Sequence, residues 1–98
     1  MVRVVLPESL TIESVSAIRH LMLDAMSESP PGLVLDGLAV EDVDGAGIQL
    51  LLAAAKEAVQ RELPLVLEAS PALQSTIDLL AIGNRFTSAQ SIIEESAE

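Results

Sequence analysis

Asp36, Glu41, Asp42 and Asp44 crowd the middle of the chain and run into Gly45-Ala46-Gly47. Carboxylate oxygens are the hard ligands that Mg²⁺ and Ca²⁺ prefer, so a divalent-metal-dependent enzyme using this acidic segment is one reading of it. The spacing matches no calcium-binding loop. Two glycines at a strand-to-helix turn also suit a phosphate cradle, but an anion there would meet Glu41, Asp42 and Asp44 with no lysine beside them. The simpler reading is a solvated acidic loop in which Asp44 caps a helix. Its carboxylate accepts the free N–H groups of the first turn, where the helix dipole also favours an anion. Elsewhere the chain offers a catalyst little. His20 is the only imidazole and cysteine is absent, which excludes a disulfide, a thiolate metal site and a cysteine nucleophile. No His-Glu-x-x-His spacing, nucleotide-binding glycine loop or nucleophile elbow occurs. No catalytic residue, metal ligand or cofactor is therefore expected.

The hydroxyl census is more informative. Residues 30–69 contain no Ser, Thr, Tyr or His, so a kinase acting on this segment finds no usual acceptor. Along the chain, the flanking hydroxyls are Ser29 and Ser70. Gly45 stands where a helix begins, and glycine inside a helix costs about 1 kcal/mol relative to alanine. Two explanations stand side by side. Either the backbone needs a close approach that a side chain would block, or the surface of a partner packs against this turn.

The elements that position these residues follow from apolar spacing. Leu33, Val34 and Leu35 form a short buried strand ended by Asp36-Gly37. After Asp44 the spacing predicts a helix with Ile48, Leu51, Leu52, Ala55, Ala58 and Val59 inward, and with Gln49, Lys56, Glu57 and Gln60 outward. Upstream, residues 2–6 are rich in β-branched valine and bounded by Pro7, which reads as a first strand. A helix capped by Thr11 runs to about Met26 through Ile12, Val15, Ile18, Leu21, Met22, Ala25 and Met26, and Ser29-Pro30-Pro31-Gly32 ends it. Leu65, Val66 and Leu67 give a third strand. Ser70 and Pro71 start a further helix in the order cap then proline, with Leu73, Ile77 and Leu80 apolar and Gly83-Asn84 as its stop. Residues 88–97 read as a last amphipathic helix through Ala89, Ile92 and Ile93. Strands alternating with helices imply an α/β fold, with a small, mainly parallel sheet of three to four strands and helices packed on it.

The segment VLDGLAVEDVDGAGIQLLLAA resembles the core motif of STAS domains, the fold of bacterial anti-sigma-factor antagonists. In that family a strand ending in Asp leads into a hydrophobic-Asp-Ser-Ser/Ala-Gly-Leu turn and a helix, which corresponds here to Val43-Asp44-Gly45-Ala46-Gly47-Ile48. The resemblance extends more loosely from Val2 to about Phe86, without the extra first strand and with at most a very short fourth strand near Phe86. It implies a non-enzymatic regulatory protein that docks on a kinase-like anti-sigma factor. Two other forms are open: the STAS subunit of a lipid-transport ABC system, docking on its ATPase, or a chemotaxis-associated STAS protein. In the family the residue after the turn Asp is usually the phosphorylated Ser or Thr, and here it is Gly45. The partner-binding surface it implies comprises Asp36, Glu41, Asp42, Asp44, Gly45, Ala46, Gly47 and Gln49.

Composition narrows the partners. Ninety-eight residues suit one domain, and a single aromatic, Phe86, leaves the core to aliphatic side chains. Fifteen acids against five basic residues give a net charge of −10, which opposes nucleic acid or an anionic bilayer and favours a basic protein surface. No apolar run approaches the roughly 20 residues of a membrane span, and no signal peptide opens the chain, so a cytoplasmic protein is expected. An uncovered sheet edge is a place for a second copy, hence a homodimer, or for a partner strand.

Overall fold

The structure, a computed structural model, describes residues 2–80 and the strand Ser91–Glu95. Its elements in order are β1 (Val2–Val5), β2 (Ser9–Leu10), α1 (Val15–Ser27), β3 (Leu33–Gly37), β4 (Asp42–Val43), α2 (Gly45–Gln60), β5 (Leu65–Ala69), α3 (Pro71–Leu80) and β6 (Ser91–Glu95). The main sheet has the order β1-β3-β5-β6 and is parallel throughout. Each crossover advances one strand in the same direction, so right-handed connections put all three helices on one face. The side chains agree. Val4, Leu33, Leu35, Leu65 and Leu67 point inward and join one core with Ile18 and Met22 of α1, Leu51 and Ala55 of α2, and Leu73 and Ile77 of α3. A leucine fully buried in this way contributes about 1.5–3 kcal/mol relative to an exposed one. Among the described residues no helix is long and apolar enough to cross a membrane.

The α/β class and the parallel sheet agree with the sequence; several details differ from it. The first helix starts at Val15. Before it, the N–H groups of Ser14 and Val15 both donate to the Thr11 carbonyl, and the Ser14 hydroxyl donates to the Ser9 carbonyl while accepting from the Thr11 N–H. The side-chain bonds of Ser14 hold residues 11–14 in a turn before the helix, and Ile12 in that turn is 70% exposed. α1 buries Ile18, Met22 and Met26, while Leu21 lies outside. α2 turns the expected Ile48, Leu51, Ala55 and Ala58 inward and Gln49 and Lys56 outward, but it also buries Leu50 and Ala54, while Leu52 is half-buried and Val59 is exposed. The cause is a second neighbour. A helix packed on both the sheet and α1 needs a wider apolar stripe than one packed on the sheet alone.

The expected last helix is replaced by a strand. Residues 91–95 pair with β5, with Ile92 opposite Val66 and Ile93 opposite Leu67. Adjacent β-branched isoleucines favour that conformation, and β6 supplies hydrogen-bond partners along an edge of β5 that would otherwise lack them. The Gly83-Asn84 stop and the short strand near Phe86 lie outside the described residues.

Two helices end on residues with positive φ, Ser29 at 51° and Glu62 at 55°. After α2 the Glu62 N–H donates to the Val59 carbonyl and the Leu63 N–H to the Ala58 carbonyl, the paired bonds of a Schellman ending. Glu62→Gly should raise stability by roughly 1 kcal/mol, because the left-handed region penalises a Cβ. Leu51, fully buried, should lose about 2–5 kcal/mol on replacement by alanine. Urea denaturation of the two variants checks both signs.

Candidate functional site

The start of α2 is fixed by Asp44. Its backbone is extended, and one carboxylate oxygen accepts the Gly47 N–H at 3.0 Å, so the expected cap is formed. The other oxygen accepts the Ile12 N–H, also at 3.0 Å. One side chain thereby joins the second helix to the turn before the first. These donors, Ile12 before Gly47, hold the carboxyl below the ordinary carboxylate range, because hydrogen bonds to the charged form favour it.

The acidic segment expected as a loop is partly a strand. Ser9 pairs with Asp42 and Leu10 with Val43 in a parallel two-stranded sheet. The Glu41 and Asp42 N–H groups both donate to the Glu8 carbonyl, at 2.7 and 3.0 Å, and the Asp44 N–H donates to the Leu10 carbonyl at 3.3 Å. The backbone of the segment is held while the Glu41 and Asp42 side chains remain exposed.

The two glycines differ in kind. A Cβ on Gly47 would fall against the Leu10 carbonyl oxygen and 2.9 Å from a methyl of Val43. Gly47 is the position where close backbone approach requires glycine. Around Gly45 a Cβ would meet nothing within 4 Å, and its φ is not positive. Of the two explanations for Gly45, the described residues therefore supply no steric reason. Ala46 is half-buried and Gln49 exposed, on the helix face that follows.

Asp36 stands apart from this group. Its carboxylate accepts from Arg3 at 3.0 Å, and Arg3 also pairs with Glu68. Arg3, Asp36 and Glu68 occupy the outward positions of β1, β3 and β5, on the sheet face away from the helices. The four acids do not converge, and among the described residues no group of three or more His, Cys, Asp or Glu side chains could hold a metal ion. His20 is exposed on α1.

Two features escaped the sequence. The first is the hydroxyl supply: although Ser29 and Ser70 flank the segment in sequence, Ser16 of α1 lines a hollow with Ala46 and Gln49. The second is Ser70, buried with 3% exposure. It caps α3 through the Leu73 N–H as expected, and its hydroxyl also donates to the Val40 carbonyl at 2.6 Å. The segment between β3 and β4 is thus tied to α3, a long-range bond with no local signal.

A small parallel α/β domain, with its second helix started by the turn Val43-Asp44-Gly45-Ala46-Gly47-Ile48, has the architecture that the resemblance to STAS domains implies. The chain belongs to the STAS domain family: the family described as "Mlab, STAS domain" matches residues 1–88. Domains of this family generally take part in regulatory protein–protein interactions. No curated protein and no solved structure matches the chain.

The contrast between the glycines is testable. Gly47→Ala should lower the denaturation midpoint sharply, whereas Gly45→Ala should leave it unchanged or raise it by up to about 1 kcal/mol of stability. The cap predicts a pH effect of definite sign. A carboxyl whose folded pKa is lowered stabilises the fold above its unfolded pKa and loses that contribution as pH falls through the folded value. Asp44→Asn should therefore lower stability at pH 7 and flatten its decline below about pH 4, near the reference Asp pKa. Thermal melts from pH 7 to pH 2.5 measure both.

Proposed function

We propose that this chain is a non-enzymatic regulatory module that binds a protein partner through the exposed start of α2 and the acidic segment before it. The observation that carries this reading is the pairing of open space around Gly45 with two exposed acids, Glu41 and Asp42, on an anchored backbone. A surface already held in one conformation loses little entropy when a partner docks. Glu41, Asp42, Gly45, Ala46 and Gln49 form the contact surface, and Asp44 and Gly47 hold it in place. Asp36 falls outside it, because its carboxylate is engaged by Arg3 on the other sheet face.

Docking here is reversible and needs no modification of residues 30–69, which lack a hydroxyl acceptor. The resemblance to anti-sigma-factor antagonists makes a kinase-like anti-sigma factor the first partner class. A lipid transporter's ATPase and a chemotaxis regulator are the alternatives, and the identity of the protein recovered by pull-down from the source organism separates the three.

With the recovered partner immobilised, the double variant Glu41→Lys, Asp42→Lys should associate about tenfold more slowly at low salt while keeping its melting temperature. Exposed charges act mainly on the on-rate and are screened beyond about 8 Å at physiological ionic strength, so the deficit should shrink as salt rises. Surface plasmon resonance at 20 and 300 mM salt reads both. Unchanged on-rate and affinity at low salt would remove the acidic segment from the interface.

A further inference from the structure

Two hollows lie end to end between α1 and α2. The upper one, about 390 Å³, is lined on the α2 side by Ala46, Gln49, Leu50 and Ala53. Adding four to each number gives the α2 lining of the lower hollow, about 100 Å³. On the other wall, Ile12, Val15, Ser16 and Arg19 line the upper hollow, and adding seven to each gives the α1 lining of the lower one. The two linings share Arg19, Leu50 and Ala53, so the hollows adjoin in one groove walled by two helices. An apolar groove of this kind is a surface on which an amphipathic helix lays its apolar face.

Arg19 lines both hollows and so marks the junction between them. Among the described residues the ion pairs involve Arg3 and Arg61, and none involves Arg19. In a chain of net charge −10, the middle of this apolar groove therefore offers a cation. The upper rim is fixed as well, since the N–H of the exposed Ile12 is bonded to the Asp44 carboxylate.

We infer that the α1–α2 groove receives an amphipathic helix of the partner, which places an apolar side chain in each hollow and an acidic side chain against Arg19. The inference rests on the docking function proposed above and extends the contact surface from Gly45 along the groove. A second copy of this chain is a poorer occupant, because two molecules of charge −10 repel one another.

A photo-crosslinking amino acid placed singly at Ala53, Glu41 and Val5 in the full chain, in cells of the source organism, tests the inference. Val5 lies on the outward sheet face, 61% exposed. The Ala53 probe should capture a partner segment with apolar residues four or seven apart and an acid between them. A synthetic peptide of that segment should become helical by circular dichroism on binding the purified protein. Arg19→Glu should weaken its affinity at least tenfold, and replacing the acid of the peptide by lysine should restore most of the loss. Capture from Glu41 but not from Ala53 would overturn the groove and leave the docking function standing. Capture from Val5 alone, or from none of the three, would overturn both. Capture at Ala53 of a second copy or of an extended segment, or an unchanged affinity for Arg19→Glu, would also overturn the inference.

Discussion

The carboxylate of Asp44 is the constraint on which the exposed surface depends. It accepts one N–H from the helix it starts and one from the turn before α1. A cap that served only its own helix would leave the relative position of the two helix starts to packing alone. Bridging them sets where Ile12 stands relative to Ala46, and hence the mouth of the groove between α1 and α2. The Leu10 carbonyl makes the same demand from the other side. It lies so close to Gly47 that only hydrogen fits there, and it also accepts the Asp44 N–H. A serine or alanine at Gly47 would separate the turn from the helix it braces.

Much of this was legible because it is written in local terms. Asp44 before a helical stripe and Ser70 before Pro71 announce their caps by type and position, and both caps form. Alternating strands and helices with no hairpin signal leave little choice but a parallel sheet. The errors fall where a residue's fate is decided by something distant in sequence. The last segment carries an apolar spacing compatible with either structure, and the free edge of β5 selects the strand. The central residues of the α1 and α2 stripes are legible, but their margins, Leu21 outside and Leu50 and Ala54 inside, are not, because each helix packs against the other as well as against the sheet. Of the candidate site, the acids, the glycines and the capping role of Asp44 were visible, but the pairing of Asp36 with Arg3 and the bond from Ile12 to Asp44 were not. Asp36 goes to Arg3, Asp44 goes to backbone amides, and Glu41 and Asp42 remain in solvent.

The two sheet faces divide the labour. The inner face carries leucines and supplies the core, while the outer face carries Arg3 between Asp36 and Glu68, each on its own strand. A cation on the edge strand shared by acids on the next two strands favours the register of β1, since a shift of one residue would turn Arg3 toward the core. Partly exposed ion pairs add little to stability, but they discriminate between registers that an aliphatic sheet would otherwise separate poorly.

The pairing of Ser9–Leu10 with Asp42–Val43 has a consequence for the order of events in folding. It joins two-residue strands more than thirty positions apart and therefore closes a long loop for few hydrogen bonds. β1 and β3 must already lie side by side before it can form, which places it late in assembly. Once formed, it is held by the buried Leu10 and Val40, by the bond from Ile12 to Asp44 and by that from Ser70 to Val40. The segment that presents the acids therefore opens only together with the core beneath it, so its amides should exchange as slowly as those of the four-stranded sheet.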